Sequence, residues 1–157
     1  MNQDYSNKYQ KYKLKYLEKK NKTINMIGGG NENIDALLKM MTEHKILIKM
    51  LHFQTKSYGY HKTLDSYLCI FLSKFDKLFE VIQGCFNQQL DTSNINIECS
   101  MLNDNNITSY LQNFKKMFIE ITNNLINTNP NTTMGITNIR DDILSEIDNL
   151  IYLLMFK

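Results

Sequence analysis

Tryptophan is absent from the 157 residues, proline occurs once and glycine six times. So few chain breakers exclude an architecture of many short strands joined by tight turns, and favour a few long elements. The three cysteines, Cys69, Cys85 and Cys99, form neither a CxxC pair nor a zinc-ligand spacing. An odd count fits free thiols in a reducing compartment, packed into a core, rather than a disulfide framework. No apolar stretch approaches the roughly 20 residues that cross a bilayer, and the first residues carry no apolar secretory segment. The expectation is a protein that is neither membrane-bound nor secreted. A net charge of +2 also argues against a uniformly polycationic surface.

What is present is unevenly distributed. Lys8, Lys11, Lys13, Lys15, Lys19, Lys20 and Lys22 stand against only Asp4 and Glu18, so the first 22 residues carry +5 and the rest −3. Tyr5, Tyr9, Tyr12 and Tyr16 recur there at helical spacing, which predicts a short amphipathic tail helix. Gly28, Gly29 and Gly30 then stop it, since each glycine costs a helix about 1 kcal/mol. This is the domain boundary: a basic tail over 1–30 and a body over 31–157.

The body reads as four helices. The first starts at Asn31 or Asn33 and runs to about Thr55 on Ile34, Leu37, Leu38, Met41, Ile48 and Leu51. Tyr58-Gly59-Tyr60 reads as a turn. The second helix, about 60–86, turns Leu64, Leu68, Phe71, Leu72, Phe75, Leu78, Phe79 and Ile82 inward. An Asn-rich link over 87–106 follows, long enough to cross a domain. The third helix spans about 108–126. A loop over 127–137 holds Pro130 and Gly135, and a last helix starts near Asn138. Short first and last links with one long middle link describe an all-α, four-helix bundle with a crossover between its second and third helices, as ferritin-like bundles have.

Five residues of the body could carry chemistry: His52, His61, Asp65, Asp76 and Glu80. His61 and Asp65 are four apart, as are Asp76 and Glu80, so each pair shares a helix face and offers two donors to a hard or borderline divalent metal such as iron. His61 and Asp76 are fifteen residues apart, about 22 Å along a helix at ~1.5 Å per residue. One ion cannot reach both pairs of one straight helix. Fifteen residues are close to whole turns, so the pairs lie on roughly the same side. Two copies packed antiparallel about a twofold axis would bring one chain's first pair to the other's second, giving two shared sites.

The run LHFQTKSYGYHKTLDSYLCIFLSKFDKLFEVIQG, residues 51–84, resembles the metal-site segment of the Dps mini-ferritins. That family has a His ending one helix, His-x3-Asp opening the next, and Asp-x3-Glu with its Asp fifteen residues beyond the second His. His61, Asp65, Asp76 and Glu80 match this spacing, and His52 matches the first His in context. The departure is the separation of His52 and His61, nine residues here against twelve in the family. The resemblance implies a ferroxidase centre for iron shared between subunits of a homo-oligomer, a dimer at least or a closed cage, with zinc or manganese as other candidate metals. The chain is also similar to ferritin-like proteins of large DNA viruses, in its LHFQTKSY segment and its Lys- and Tyr-rich tail. That similarity implies the host cytoplasm or the virion.

Two readings of function stand beside each other. In the first the chain binds metal and oxidises iron(II) at the shared site. In the second it keeps the bundle as a virion-associated structural or DNA-binding protein without iron turnover. The tail admits nucleic-acid binding, docking on a virion partner, or removal after the Gly run. Its Tyr stripe reads as a docking face. His44 and Glu43 read as surface residues without an assigned role.

Overall fold

The computed structural model describes residues 32–93, 95–128 and 133–156; the tail and its expected helix lie outside them. Four helices make up the described part: α1 (Glu32–Gln54), α2 (Tyr58–Phe86), α3 (Ile107–Thr128) and α4 (Thr133–Leu153), with no strand among the described residues. The molecule is an all-α four-helix bundle.

Local chemistry sets each end. Glu32 and Asp35 lie in the first turn of α1, where carboxylates offset the exposed amide dipoles. Ser57 caps α2 by accepting from the Tyr60 amide. The helix therefore begins at Tyr58, and the expected turn over 58–60 is instead its first turn. Asn87 ends α2 in the left-handed region at φ 47°, a conformation Asn tolerates better than most residues. Asn103 and Asn106 exchange side-chain-to-amide bonds ahead of α3, a reciprocal cap of the helix start.

The last helix starts at Thr133 rather than near Asn138, so Gly135 belongs to it and not to the loop. A Cβ at Gly135 would sit 3.2 Å from Val81 Cγ1. The glycine thus marks a close approach of α4 to α2, not a break in the chain.

Hydrogen bonds at the ends reveal the topology. Tyr60, in the first turn of α2, donates to the carbonyl of Leu154 just beyond α4. Thr55, just after α1, donates to Asp104, just before α3. The end of α1, the start of α2, the start of α3 and the end of α4 therefore share one pole, and α2 and α3 run parallel. The 87–106 link travels the length of the bundle. Midway, its Glu98 amide donates to Glu43 of α1. Leu102 is buried at its far end, while Met101 is exposed. In cross-section α1 packs on α2 and α3, and α4 packs on the same two.

Each helix contributes an apolar stripe to one core. Leu37, Met41 and Ile48, Leu64, Phe71 and Leu78, Leu111 and Phe118, and Ile136 and Ile147 are at most 1% exposed. Each such side chain stabilises the fold by about 1.5–3 kcal/mol before entropy is subtracted. Two expectations change here. Leu72 is not inward but 38% exposed, because the apolar surface of α2 is wider than the contact α1 makes with it. The cysteines are not core thiols either: Cys69 and Cys99 are exposed and Cys85 half-buried, since each falls beside its helix or loop stripe rather than on it.

Candidate metal centre

His52 and His61 meet where α1 turns into α2. His52 ends the buried stripe of α1, and Ser57 starts α2 so soon afterwards that His61 falls beside it. The pairing is reciprocal: His52 Nδ1 lies 3.1 Å from the His61 carbonyl oxygen, and His61 Nδ1 lies 3.1 Å from that of His52. The rings stack with centroids 4.0 Å apart and planes at 24°. The link three residues shorter than the mini-ferritin pattern still brings the two imidazoles face to face.

A carbonyl oxygen can only accept, so in each neutral imidazole Nδ1 carries the hydrogen and Nε2 keeps its lone pair. Metal-bound histidines are commonly held in this way, the far nitrogen donating to a backbone carbonyl and fixing tautomer and ring direction. Each ring therefore keeps one nitrogen with a free lone pair, the type of donor that divalent transition metals accept. The Asp65 carboxylate stands 3.9 Å from His52 Nε2 and 4.0 Å from Lys49 Nζ, and its side chain is 59% exposed. Lys49 also lies over the Phe53 ring, 4.9 Å from its centroid.

Asp76 and Glu80 are both exposed and sit further along α2. With Leu38, Phe75, Phe79 and Gln83 they line a groove of about 390 Å³ on the outer face of the α1–α2 pair. A second, almost wholly apolar groove of about 360 Å³ lies on that pair, lined by Ile46, Lys49, Met50, Phe53, Leu68 and Leu72. Leu72, the leucine that does not turn inward, belongs to this outer surface. Within one chain His52, His61 and Asp65 gather at one place while Asp76 and Glu80 stand apart. Among the described residues no three His, Cys, Asp or Glu side chains of one chain are arranged to hold an ion.

A second polar cluster lies inside the bundle, where the sequence reading expected none. His44 is 0% exposed. Its Nε2 is 2.8 Å from the Tyr67 hydroxyl and its Nδ1 is 2.9 Å from the Tyr110 hydroxyl. The ring stacks on Phe114 at 3.9 Å and tilts against Phe71 at 4.9 Å. Burial lowers the His44 pKa to about 3, so the ring is neutral. Burial also pushes the Tyr67 hydroxyl well above its ordinary value, reinforced by Tyr110 and Glu146. Tyr110 is raised by burial, then by Glu43 and Cys99. The signal for His44 was in the sequence, because position 44 continues the stripe of Leu37, Met41, Ile48 and Leu51 that turned out to be core.

Among the described residues no helix is long and apolar enough to cross a membrane. No curated protein and no solved structure matches the chain. The profile of the Family of unknown function (DUF5856) matches residues 52–154, a span that begins at His52 and takes in all of α2, the crossover, α3 and α4. The chain belongs to that family of unknown function.

Proposed function

We propose that the protein is a mini-ferritin-like metal-binding protein that takes iron(II) at a site completed by a second copy of the chain. His52, His61 and Asp65 of one copy would face Asp76 and Glu80 of the other. Iron(II) is the substrate. With hydrogen peroxide as acceptor, two iron(II) and two protons give two iron(III) and two water molecules, and the carboxylates stabilise the more highly charged product. The mutual locking of His52 and His61, which leaves each Nε2 its lone pair and sets that of His52 3.9 Å from the Asp65 carboxylate, is the observation that carries this reading. The apolar outer face of α1 and α2 supports it, because among the described residues no other element covers that surface, and it lies alongside both groups of ligands.

Element analysis by mass spectrometry on protein purified without chelator, with its mass in solution, tests the proposal. We expect iron or zinc near one per chain in a dimer or larger assembly. Asp76→Asn/Glu80→Gln should lose the metal and slow iron(II) oxidation at least about tenfold, the loss expected when ligands or their supports are removed. A variant that oxidises iron as fast as the wild type, or a protein that refuses added iron(II), overturns the reading and leaves the bundle as an assembly component.

A further inference from the structure

The Tyr67–His44–Tyr110 chain has no part in the ligand set, and an apolar core would serve the fold at least as well. Replacing all three by apolar side chains of similar shape removes the desolvation of buried polar groups at little net cost. Its directionality follows from counting hydrogens. Among the described residues the Tyr67 hydroxyl makes a single hydrogen bond, to His44 Nε2, and Tyr67 is only 4% exposed. Its hydrogen is therefore spent on that nitrogen. The neutral ring must then carry its own hydrogen on Nδ1 and donate it to Tyr110. Tyr110 is half-buried and keeps its hydroxyl hydrogen for the side facing Glu43 and solvent. The result is a one-way row of donors from the middle of the core to its α1–α3 edge.

A second row leads away from the same tyrosine. Tyr67, Phe71, Phe75 and Phe79 recur every four residues on one face of α2, with successive ring centroids 5.6, 6.0 and 5.2 Å apart. Phe75 and Phe79 line the groove that holds Asp76 and Glu80. Close-packed rings thus connect Tyr67 to the carboxylates at one end, while hydrogen bonds connect it to the opposite edge.

We propose that Tyr67 is a redox-active tyrosine, giving up one electron along the α2 rings and one proton along His44 and Tyr110. The oxidant is of the hydroxyl-radical class that iron(II) and hydrogen peroxide generate, and in that respect the inference rests on the proposed function. The radical takes an electron and becomes hydroxide. The Tyr67 proton passes to His44 Nε2, the Nδ1 proton passes to Tyr110, and the Tyr110 proton leaves towards Glu43 and water, where it neutralises the hydroxide. The sum is Tyr67 hydroxyl plus hydroxyl radical giving Tyr67 oxyl radical plus water. A further iron(II) and a proton restore the phenol and yield iron(III). Because burial disfavours a protonated His44, the two transfers through its ring occur together, the Nδ1 proton leaving as the Tyr67 proton arrives at Nε2. The protein would in this way confine a damaging oxidant to one buried, recoverable ring.

Electron paramagnetic resonance on the full chain tests this in two arms. In the first, protein is mixed with iron(II) and hydrogen peroxide and freeze-quenched; in the second, photogenerated ruthenium(III) tris-bipyridine oxidises metal-free protein. We expect in both a tyrosyl radical hydrogen-bonded through an exchangeable proton, seen by comparing water with heavy water. Tyr67→Phe should remove that signal, because phenylalanine has no phenol to oxidise. His44→Leu keeps the phenol but removes its proton acceptor, and should reduce the yield. Circular dichroism checks that both variants fold. A photochemical radical that survives undiminished in Tyr67→Phe, or no hydrogen-bonded radical in either arm, overturns the relay. A Tyr67-dependent radical in the photochemical arm alone supports the relay and counts against the iron reading.

Discussion

His44 makes the acid behaviour of the protein predictable. Its pKa is about 3 in the fold and about 6.5 in an unfolded chain. Because the folded value is depressed for a base, the native state binds fewer protons than the unfolded state between those limits. Stability from this group is unaffected above about pH 6.5 and falls as the pH drops towards 3, by up to about 1.4 kcal/mol per unit. At pH 5 the loss should be about 2 kcal/mol relative to pH 7.5. Urea unfolding of the wild type and His44→Gln at both pH values checks this. The variant should be less stable at pH 7.5, having lost one of two buried hydrogen bonds, but should lose about 2 kcal/mol less on acidification. Equal acid losses in the two proteins would place the proton uptake elsewhere. At this scale the sequence was partly legible. The register of His61, Asp65, Asp76 and Glu80 could be read because it needs only helical spacing. The burial of His44 was masked by its residue type, although its position in the stripe was available. The exposure of Cys69, Cys85 and Cys99 went the other way, since cysteine's usual burial outweighed their off-stripe positions.

The helices themselves were legible, and their starts less so. Periodicity fixes where a stripe is strong, but a start depends on which of several polar residues caps it, and Tyr58-Gly59-Tyr60 read as a turn. The Ser57 cap makes those residues the first turn of α2 instead. Ser57→Ala should destabilise the protein by about 1 kcal/mol, the usual worth of an N-cap. Because the cap holds the turn that places His61 against His52, metal affinity should fall as well; thermal melting and metal titration of the variant measure the two effects. Gly135 is the complementary case, a glycine that composition assigns to a loop and packing assigns to a helix. Ala at a helical Gly gains about 1 kcal/mol, yet here the new methyl meets Val81 at 3.2 Å. Gly135→Ala should accordingly stabilise a Val81→Ala protein by about that amount and the wild type by clearly less. Denaturant midpoints of the four proteins in the cycle give the coupling, and a zero coupling would mean that α2 and α4 do not meet closely there.

At the scale of the whole molecule, chain connectivity was readable from link lengths alone. The bundle needed three links, and only 87–106 was long enough to return from one pole to the other. What length could not supply is the second half of the proposed site, because no single helix can fold Asp76 back onto His61. A twofold pair resolves that separation, and its symmetry makes a quantitative prediction. His61→Ala/Asp65→Ala lacks one half of the site, and Asp76→Asn/Glu80→Gln lacks the other, so each protein alone should hold no metal. In a mixed dimer one site receives both damaged halves and the other receives both intact halves. Random mixing after subunit exchange makes half the dimers mixed, so metal content should recover to about a quarter of the wild-type value. Native mass spectrometry would find that metal only in mixed dimers, one site in each. Recovery without exchange, or metal retained by either variant alone, would put all the ligands in one chain. No recovery from confirmed mixed dimers would mean that the His pair and the carboxylate pair never face each other, and would remove the shared centre while leaving the bundle and its buried tyrosine relay to be judged on their own tests.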